Sequence, residues 1–483
     1  MHPSRWKETA LAALAGVLLA LAMPGFGIWP LAFVGLVPFL FAQGTSARVL
    51  PGAVCGAVLF AIDLRWLLTL TRFTPLVILG YLVLVALLAL ALGLVGALVG
   101  ASRRRFGVAA AWLLVAPIAW SAFELLRAQG EIGLSFSALY SALHRVPALI
   151  QGVSLLGPWA LTAAVVFING ALAQLLIRRP RGLLAGAGVA ALLATLWWLP
   201  LPPAGEAMEV GIVGSDVAQD VKLAGTELAT LTPFYLDMGR RAASEGPQLI
   251  VFPESILPAF ILRDEGLLKA FSDLAREAGS AILFGTGDYM DGEILNRVAL
   301  LSEAGELVGT YAMMHPVPFG ETVPGRRILE ALGLATWILR MLPVDLTPGK
   351  EYTILDGIGA PICFESTFPA ISRRFAEEGA TLLVTVTNDA WFDGSSELRA
   401  HFAAAVFRAV ETRRYVIQAA NGGISGIVDP RGRIVAQRVG ETVLAGRVEH
   451  RSGASAYVRY GELPLLVLFV LLLVGGAAWR RLA

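Results

Sequence analysis

Ala360-Pro361-Ile362-Cys363-Phe364-Glu365-Ser366 carries one of only two cysteines in this 483-residue chain. The other, Cys55, lies in an apolar run near the N-terminus, so Cys363 has no partner in the segment around it. A cysteine without a partner is either a small buried hydrophobe or a nucleophile. Composition alone favours the first. Position favours the second, because Cys363 closes the run Tyr352–Ile362, read as a strand, and α/β folds place their chemistry beyond strand ends.

Residues on either side of this stretch alternate strand and helix signals. Short β-rich runs occur at Glu209–Val213, Gln248–Phe252, Ala281–Phe284, Val298–Leu301, Thr381–Thr387 and Gly426–Asp429. Helical patterns fall between them at Thr230–Ser244, Glu265–Ala278 and Glu397–Arg414. Such alternation predicts a layered α/β fold. Asp429-Pro430-Arg431-Gly432 predicts a hairpin turn, and Gly285-Thr286-Gly287 reads as a turn rather than a phosphate loop. Two more polar groups follow strand ends: Glu254 after Leu249-Ile250-Val251-Phe252, and Asn388 with Asp389 after Leu382–Thr387. A lone Glu there is usually a cap, but three such ends, one bearing the thiol, form a candidate site. The five histidines, His2, His144, His315, His401 and His450, show no ligand spacing, so neither a metal nor a cofactor is expected.

Hydrophobic residues make up 56% of the chain and charged ones 16%, against about 25% charged in soluble domains. A net charge of +1 gives no reason to expect nucleic acid. The apolar excess falls into runs near 8–24, 28–43, 50–70, 75–100, 107–125, 157–177, 183–200 and 462–479. These predict an α-helical bundle of about eight spans, the first two short enough to form a re-entrant pair around Pro24-Gly25-Phe26-Gly27. Arg5 and Lys7, Arg48, Arg103 to Arg105, Arg178, Arg179 and Arg181, and Arg480 and Arg481 all fall on one face if the spans alternate. That face is cytoplasmic by the positive-inside rule, which puts the α/β segment on the far side. Arg65 and Arg72 run against the rule, and Asp63 and Arg65 read as residues that snorkel to the interface. The predicted organisation is a membrane domain over 1–204, an α/β domain over 205–455 and a closing span over 456–483.

Val251-Phe252-Pro253-Glu254-Ser255, His315-Pro316-Val317-Pro318-Phe319-Gly320-Glu321, Cys363-Phe364-Glu365, Thr387-Asn388-Asp389-Ala390-Trp391-Phe392, and Arg408-Ala409-Val410-Glu411 with Arg414 and Asn421-Gly422-Gly423 occur in this order. Together they resemble the nitrilase superfamily. With the membrane runs, the chain resembles its membrane-bound apolipoprotein N-acyltransferase family over nearly its whole length. The resemblance implies an αββα sandwich on a helical bundle in the bacterial inner membrane, with the sandwich facing the periplasm. It implies acyl transfer from a phospholipid, typically phosphatidylethanolamine, to the amine of a lipoprotein's diacylglyceryl-cysteine. Cys363 is then the nucleophile and Glu254 the general base, supported by Glu321, Glu365, His315 and Asn388. Trp391, Phe364, Leu223 and Trp337 fall in the substrate-binding set, and a monomer suffices. A thioester suits this role because thiolate is both a good nucleophile and a good leaving group.

Two positions depart from the family. Where it has a lysine two residues before the histidine of the His-x-Val-Pro-Phe-Gly-Glu motif, this chain has Met313, and its four lysines, Lys7, Lys222, Lys269 and Lys350, all lie outside the motif. Loss of one such electrostatic contact costs on the order of 100- to 1,000-fold in turnover, so impaired activity is expected. Three readings of Met313 stand side by side: a packing-preserving substitution, a member that uses His315 or another donor, and a silent lipid- or lipoprotein-binding relative. Leu223 stands where the family commonly has a tryptophan. Arg326–Leu346 reads either as an interfacial lid, with Trp337 toward the lipid, or as a core helix. A membrane-tethered carbon–nitrogen hydrolase is the other enzymatic reading.

Overall fold

The computed structural model describes residues 5–44, 48–179, 181–225, 227–333 and 345–482. Its first part is helical. Leu50–Arg72, Leu76–Arg127 and Pro158–Leu176 are long and apolar enough to cross a membrane. Trp29–Ala42, Gly182–Trp198 and Leu463–Gly475 are shorter apolar helices. The expected span at 28–43 folds as two pieces, Trp29–Phe33 and Val37–Ala42, each with proline in its first turn. At Gly107, φ is +83° and ψ 170°, which breaks the Leu76–Ala110 helix after its three arginines. The segment beyond packs back against it, and Arg103 lies 5.1 Å over the Trp112 ring.

The Leu76–Ala110 helix is apolar on all faces. Leu88, Leu92 and Val99 are buried, whereas Leu79, Leu82, Leu87, Leu90, Leu94 and Leu98 face outward, as on a helix that meets lipid. Buried carboxylates inside the bundle are hydrogen-bonded. Glu124 accepts from Thr162 Oγ1 at 2.6 Å, from Leu139 N at 2.7 Å and from Trp120 Nε1 at 3.0 Å. Asp63 does not snorkel as expected: it is buried and accepts from Ser137 Oγ at 2.5 Å, because the 128–157 loop folds over it. Arg65 is exposed.

The second part has strands β1 (Ala207–Gly214), β2 (Leu249–Val251), β3 (Ala281–Met290), β4 (Glu293–Leu301), β5 (Leu307–Ala312), β6 (Ile358–Gly359), β7 (Leu382–Asn388), β8 (Val416–Asn421), β9 (Ile424–Val428), β10 (Ile434–Val439) and β11 (Thr442–Glu449). They form a six-stranded sheet, β11-β1-β2-β3-β4-β5, and a five-stranded sheet, β10-β9-β8-β7-β6. The β1-β2-β3 and β6-β7-β8 neighbours are parallel and the rest antiparallel. The sheets meet face to face through β1 against β8 and β9. Helices Leu228–Ala243 and Glu265–Ala278 cover one outer face, and Pro369–Glu377 and Glu397–Thr412 the other. The layers therefore run helix, sheet, sheet, helix. Both faces of each sheet are covered, which is why β7 and β8 are buried along their whole length.

Two local expectations fail. Tyr352–Ile362 is not one strand, because Asp356 and Gly357 both adopt positive φ and turn the chain, leaving Ile358–Gly359 and a bridge from Ile362 to Val386. Gly285-Thr286-Gly287 is not a turn but lies inside β3. A Cβ on Gly285 would come 2.5 Å from Glu254 Cα, so glycine is needed there for close approach. The Asp429–Gly432 hairpin turn forms as expected, with Asp429 Oδ1 accepting from Arg431 N and Arg433 N, each at 2.9 Å.

Helical and α/β parts share one apolar core. Arg72, which runs against the charge rule, donates to Ala390 O at 2.6 Å and to Trp391 O at 3.2 Å. Arg399 reaches the other way to Gly25 O at 2.6 Å. Arg408, fully buried, donates to Thr367 O at 2.7 Å and pairs with buried Glu411 at 2.5 Å, tying the Glu397–Thr412 helix to the turn after Cys363. Arg408→Met should strand a buried carboxylate and destabilise the fold by roughly 3–5 kcal/mol. Thermal unfolding in detergent micelles should show the loss, and Arg408→Met/Glu411→Leu should recover most of it.

Candidate active site

The nucleophile candidate sits on a sharp turn. Ile362 is extended, Cys363 has φ +49°, and a short 3-10 helix, Cys363–Thr367, follows. A non-glycine residue at positive φ is strained, and such strain gathers at functional sites. Ser255, next to Glu254, has φ +46°, and Phe319, before Glu321, has φ +61°. The three motif segments thus share the same backbone feature.

Glu365 organises the turn. Its carboxylate accepts from Ile362 N at 2.9 Å, Met314 N at 2.7 Å, His315 N at 3.0 Å and the Tyr311 hydroxyl at 2.8 Å. It therefore fastens the residue before the nucleophile to the segment that carries Met313. Burial pushes Glu365 up to about 7 despite these donors.

Glu254 is buried, and its Oε1 accepts from Asn296 Nδ2 at 2.6 Å. Cys363 and this carboxylate act on each other's charge. Burial raises Glu254, and the Asn296 bond, Cys363 and Lys222 oppose the rise. The Cys363 thiol, half-buried, is pushed well above its ordinary value by burial and by Glu254, Asp389 and Glu321. Burial and Glu254 raise Glu321 to about 8, and its Oε2 accepts from Val317 N at 2.8 Å. Buried carboxylates thus crowd one thiol, and each raises the other's affinity for protons.

Met313 is buried, with its sulfur 3.8 Å from Asn296 Nδ2. The motif-lysine position therefore does face Glu254's partner. His315 stacks on Phe364 at 5.9 Å and meets Phe368 edge-on at 4.6 Å. Burial lowers its pKa, so its ring is neutral near pH 7. Asn388 links two elements: it donates to Gln219 Oε1 at 2.8 Å and accepts from Asn421 Nδ2 at 2.7 Å. Phe364 stacks against Phe136 at 6.2 Å, and Trp391 meets Phe73 at 5.0 Å, so both line the junction with the helical part. Leu223 is exposed beside Lys222. Trp337 lies outside the described residues.

Five participants were not read into the site from the sequence: Asn296, Tyr311, Lys222, Glu397 and His401, the last two forming a trio with Asp389. Asn296 had a signal, a lone amide inside the apolar run Ile294–Leu301. The trio lies together although its residues looked scattered: its ligand-type atoms fall within 4.8 Å of one another. His401 Nδ1 bonds Asp389 Oδ1 at 2.9 Å, and Nε2 bonds Ser366 Oγ at 2.8 Å and Cys363 O at 3.0 Å. Both ring nitrogens are engaged by protein groups, so the trio fits proton storage behind the nucleophile better than metal ligation.

Burial works against the His401 imidazolium, but Asp389 and Glu397 outweigh it and push it up to about 9. Glu397 is raised to about 8 by burial and by Asp389. Both groups hold protons more tightly folded than unfolded. The stabilisation from His401 is full below about pH 6.5 and is lost as pH rises through its folded value. The thermal midpoint should fall between pH 6.5 and 9, by on the order of 3 kcal/mol in His401's share. His401→Gln should flatten that slope.

Residues 224–449 match the carbon-nitrogen hydrolase family, and residues 15–171 match the apolipoprotein N-acyltransferase N-terminal domain. The chain is 32% identical to the apolipoprotein N-acyltransferase of Geobacter metallireducens, over 98% of this chain and 94% of that one. It is 31% identical to that of Thermotoga maritima, over 95% and 92%. Among solved structures, Saccharomyces cerevisiae Nit3, a member of branch 10 of the nitrilase superfamily, aligns with 51% of this chain and 91% of its own, at 19% identity and a TM-score of 0.39. At this identity and coverage across both parts of the molecule, the chain belongs to the apolipoprotein N-acyltransferase family.

Proposed function

We propose that this protein carries an acyl chain from a phospholipid, through a thioester on Cys363, to the amino group of a lipoprotein's N-terminal diacylglyceryl-cysteine. The observation that carries the reading is the meeting of Cys363 with Glu254 on a strained turn, beside an aromatic junction with apolar helices. The raised thiol is protonated at neutral pH, so attack needs a base at the sulfur. Glu254 takes the proton as sulfur attacks the ester carbonyl. The tetrahedral intermediate collapses, the carbon–oxygen bond breaks, and Glu254 returns the proton to the departing lyso-phospholipid oxygen. In the second half the amine attacks the thioester, the carbon–sulfur bond breaks, and a proton lost by the amine reaches the sulfur by way of Glu254.

A cavity of about 680 Å³ lies next to this centre, lined among others by Glu131, His315, Val323, Ile328 and Leu346. It joins the helical part to the motif segment, which suits an acyl donor entering from a bilayer. Phosphatidylethanolamine is the donor we favour. Phe364 and Trp391 would bound the acyl chain, and Leu223 would flank the mouth. Glu321, Glu365, His315 and Asn388 hold the reacting pair in place. On this reading, 1–204 and 456–483 supply eight spans in the bacterial inner membrane, 205–455 faces the periplasm, and the protein acts as a monomer.

Intact mass measurement after incubation with phosphatidylethanolamine tests the first half-reaction. A hydroxylamine-labile acyl adduct is expected on the native chain and not on Cys363→Ala. Met313 favours a silent lipid-binding relative, and folded native protein without an adduct would establish that reading instead. An adduct that water discharges as fast as an aminated acceptor would favour the hydrolase.

A further inference from the structure

The carboxylates around Cys363 lack the motif cation, and Met313 cannot supply one. Among the described residues near this centre, most cations are otherwise committed. Arg297 pairs with Asp288 at 2.9 Å, and His401 is tied to Asp389. His315 is neutral.

Lys222 is different. It projects from the short Gln219–Ala224 helix, is 7% exposed, and its Nζ has no hydrogen-bond partner. A buried ammonium without a partner is costly unless a negative group faces it. Glu254 lies within electrostatic reach without forming a direct ion pair: each residue acts on the other's charge, and Glu254 Oε2 is itself buried without a hydrogen-bonded partner. Burial brings Lys222 down to about 7, with Glu254 opposing the fall, so its charge responds to changes at Glu254 near neutral pH.

The carrier helix is fastened to the site. Gln219 accepts from Asn388 Nδ2 at 2.8 Å, and Asn388 accepts from Asn421 Nδ2 at 2.7 Å. Asn421 in turn accepts from Val217 N at 2.9 Å and Ser215 Oγ at 2.8 Å. This chain of amides joins the ends of β7 and β8 to the residues just before the lysine. The helix that carries Lys222 is thus held at the ends of β7 and β8, while Met313 meets Asn296, the partner of Glu254.

We propose that Lys222 is the positioning cation of this site, holding Glu254 ionised to accept the Cys363 proton, and so fills from another element the charge role left empty at Met313. The inference rests on the reading of Cys363 and Glu254 as nucleophile and base. When Glu254 carries the thiol proton, the ammonium stays to offset the negative charge gained by sulfur. On this account Met313 is a relocation of charge within the site.

The pH dependence of Cys363 alkylation tests this. Full-length protein in micelles is treated with iodoacetamide, and the Cys363 peptide is followed by mass spectrometry. Lys222→Met should move the alkylation inflection up by about one pH unit and slow the reaction at pH 7 about tenfold. Lys222→Met/Met313→Lys should bring both back toward native values. An unchanged inflection in folded Lys222→Met would overturn the proposal even if acyl transfer fell, because the lysine would then serve only packing. Lys222→Gln is read the same way if the methionine variant does not fold. Alkylation needs neither phospholipid nor lipoprotein, so failure of the acyl-adduct experiment and failure of this one are separate results.

Discussion

One buried carboxylate, Glu365, keeps the two sheets in register at the nucleophile. It collects amide hydrogens from Ile362, Met314 and His315 and the Tyr311 hydroxyl. Tyr311 lies on β5 of the six-stranded sheet, while Ile362 bridges to β7 of the five-stranded one. The backbone strain at Cys363 persists because these bonds over-determine the turn. Without them the turn would have no reason to hold sulfur toward Glu254.

Charge balance is the second constraint. Glu254, Asp389 and Glu321 act on one thiol, and burial makes Glu254, Glu321 and Glu365 harder to ionise. Proton affinity at the site is therefore shared. Asn296 and the Lys222 amine favour ionised Glu254 from the front, and His401 stabilises Asp389 from behind. Perturbed groups gathered in this way mark a candidate functional site.

A third constraint is docking to the apolar helices. Trp66 meets Phe392 at 4.9 Å and Phe136 at 5.1 Å, and Phe136 continues to Phe364, the residue after the nucleophile. Ser135 Oγ donates to Thr367 Oγ1 at 2.7 Å, at the end of the same turn. The loop between two membrane helices thus becomes part of the wall around Cys363.

Much of this was legible in the sequence, because periodicity and strand ends are local. Helix Glu265–Ala278 was read to its termini, since a stripe of Leu267, Leu268, Phe271, Leu274 and Ala275 repeats at helical spacing between Asp264 and Gly279, which cap it. Glu254 follows the end of β2 and Asn388 closes β7, close to where local pattern put them, whereas Cys363 stood out as the lone thiol of its segment. Tyr352–Ile362 misled because apolar residues hide the turn at Asp356 and Gly357. Gly285-Thr286-Gly287 misled because glycine there answers to Glu254, which is remote in sequence. The sequence by itself determined the membrane and α/β character, the candidate nucleophile and base, and the absence of lysine at 313. Only the tertiary structure decided what faces Glu254 in its place. A lysine 32 positions earlier in the chain becomes its neighbour because β1 and β2 pair side by side and an amide chain fastens the Gln219–Ala224 helix across the sheet ends. Charge balance in a buried site depends on distance through space, which local pattern does not encode.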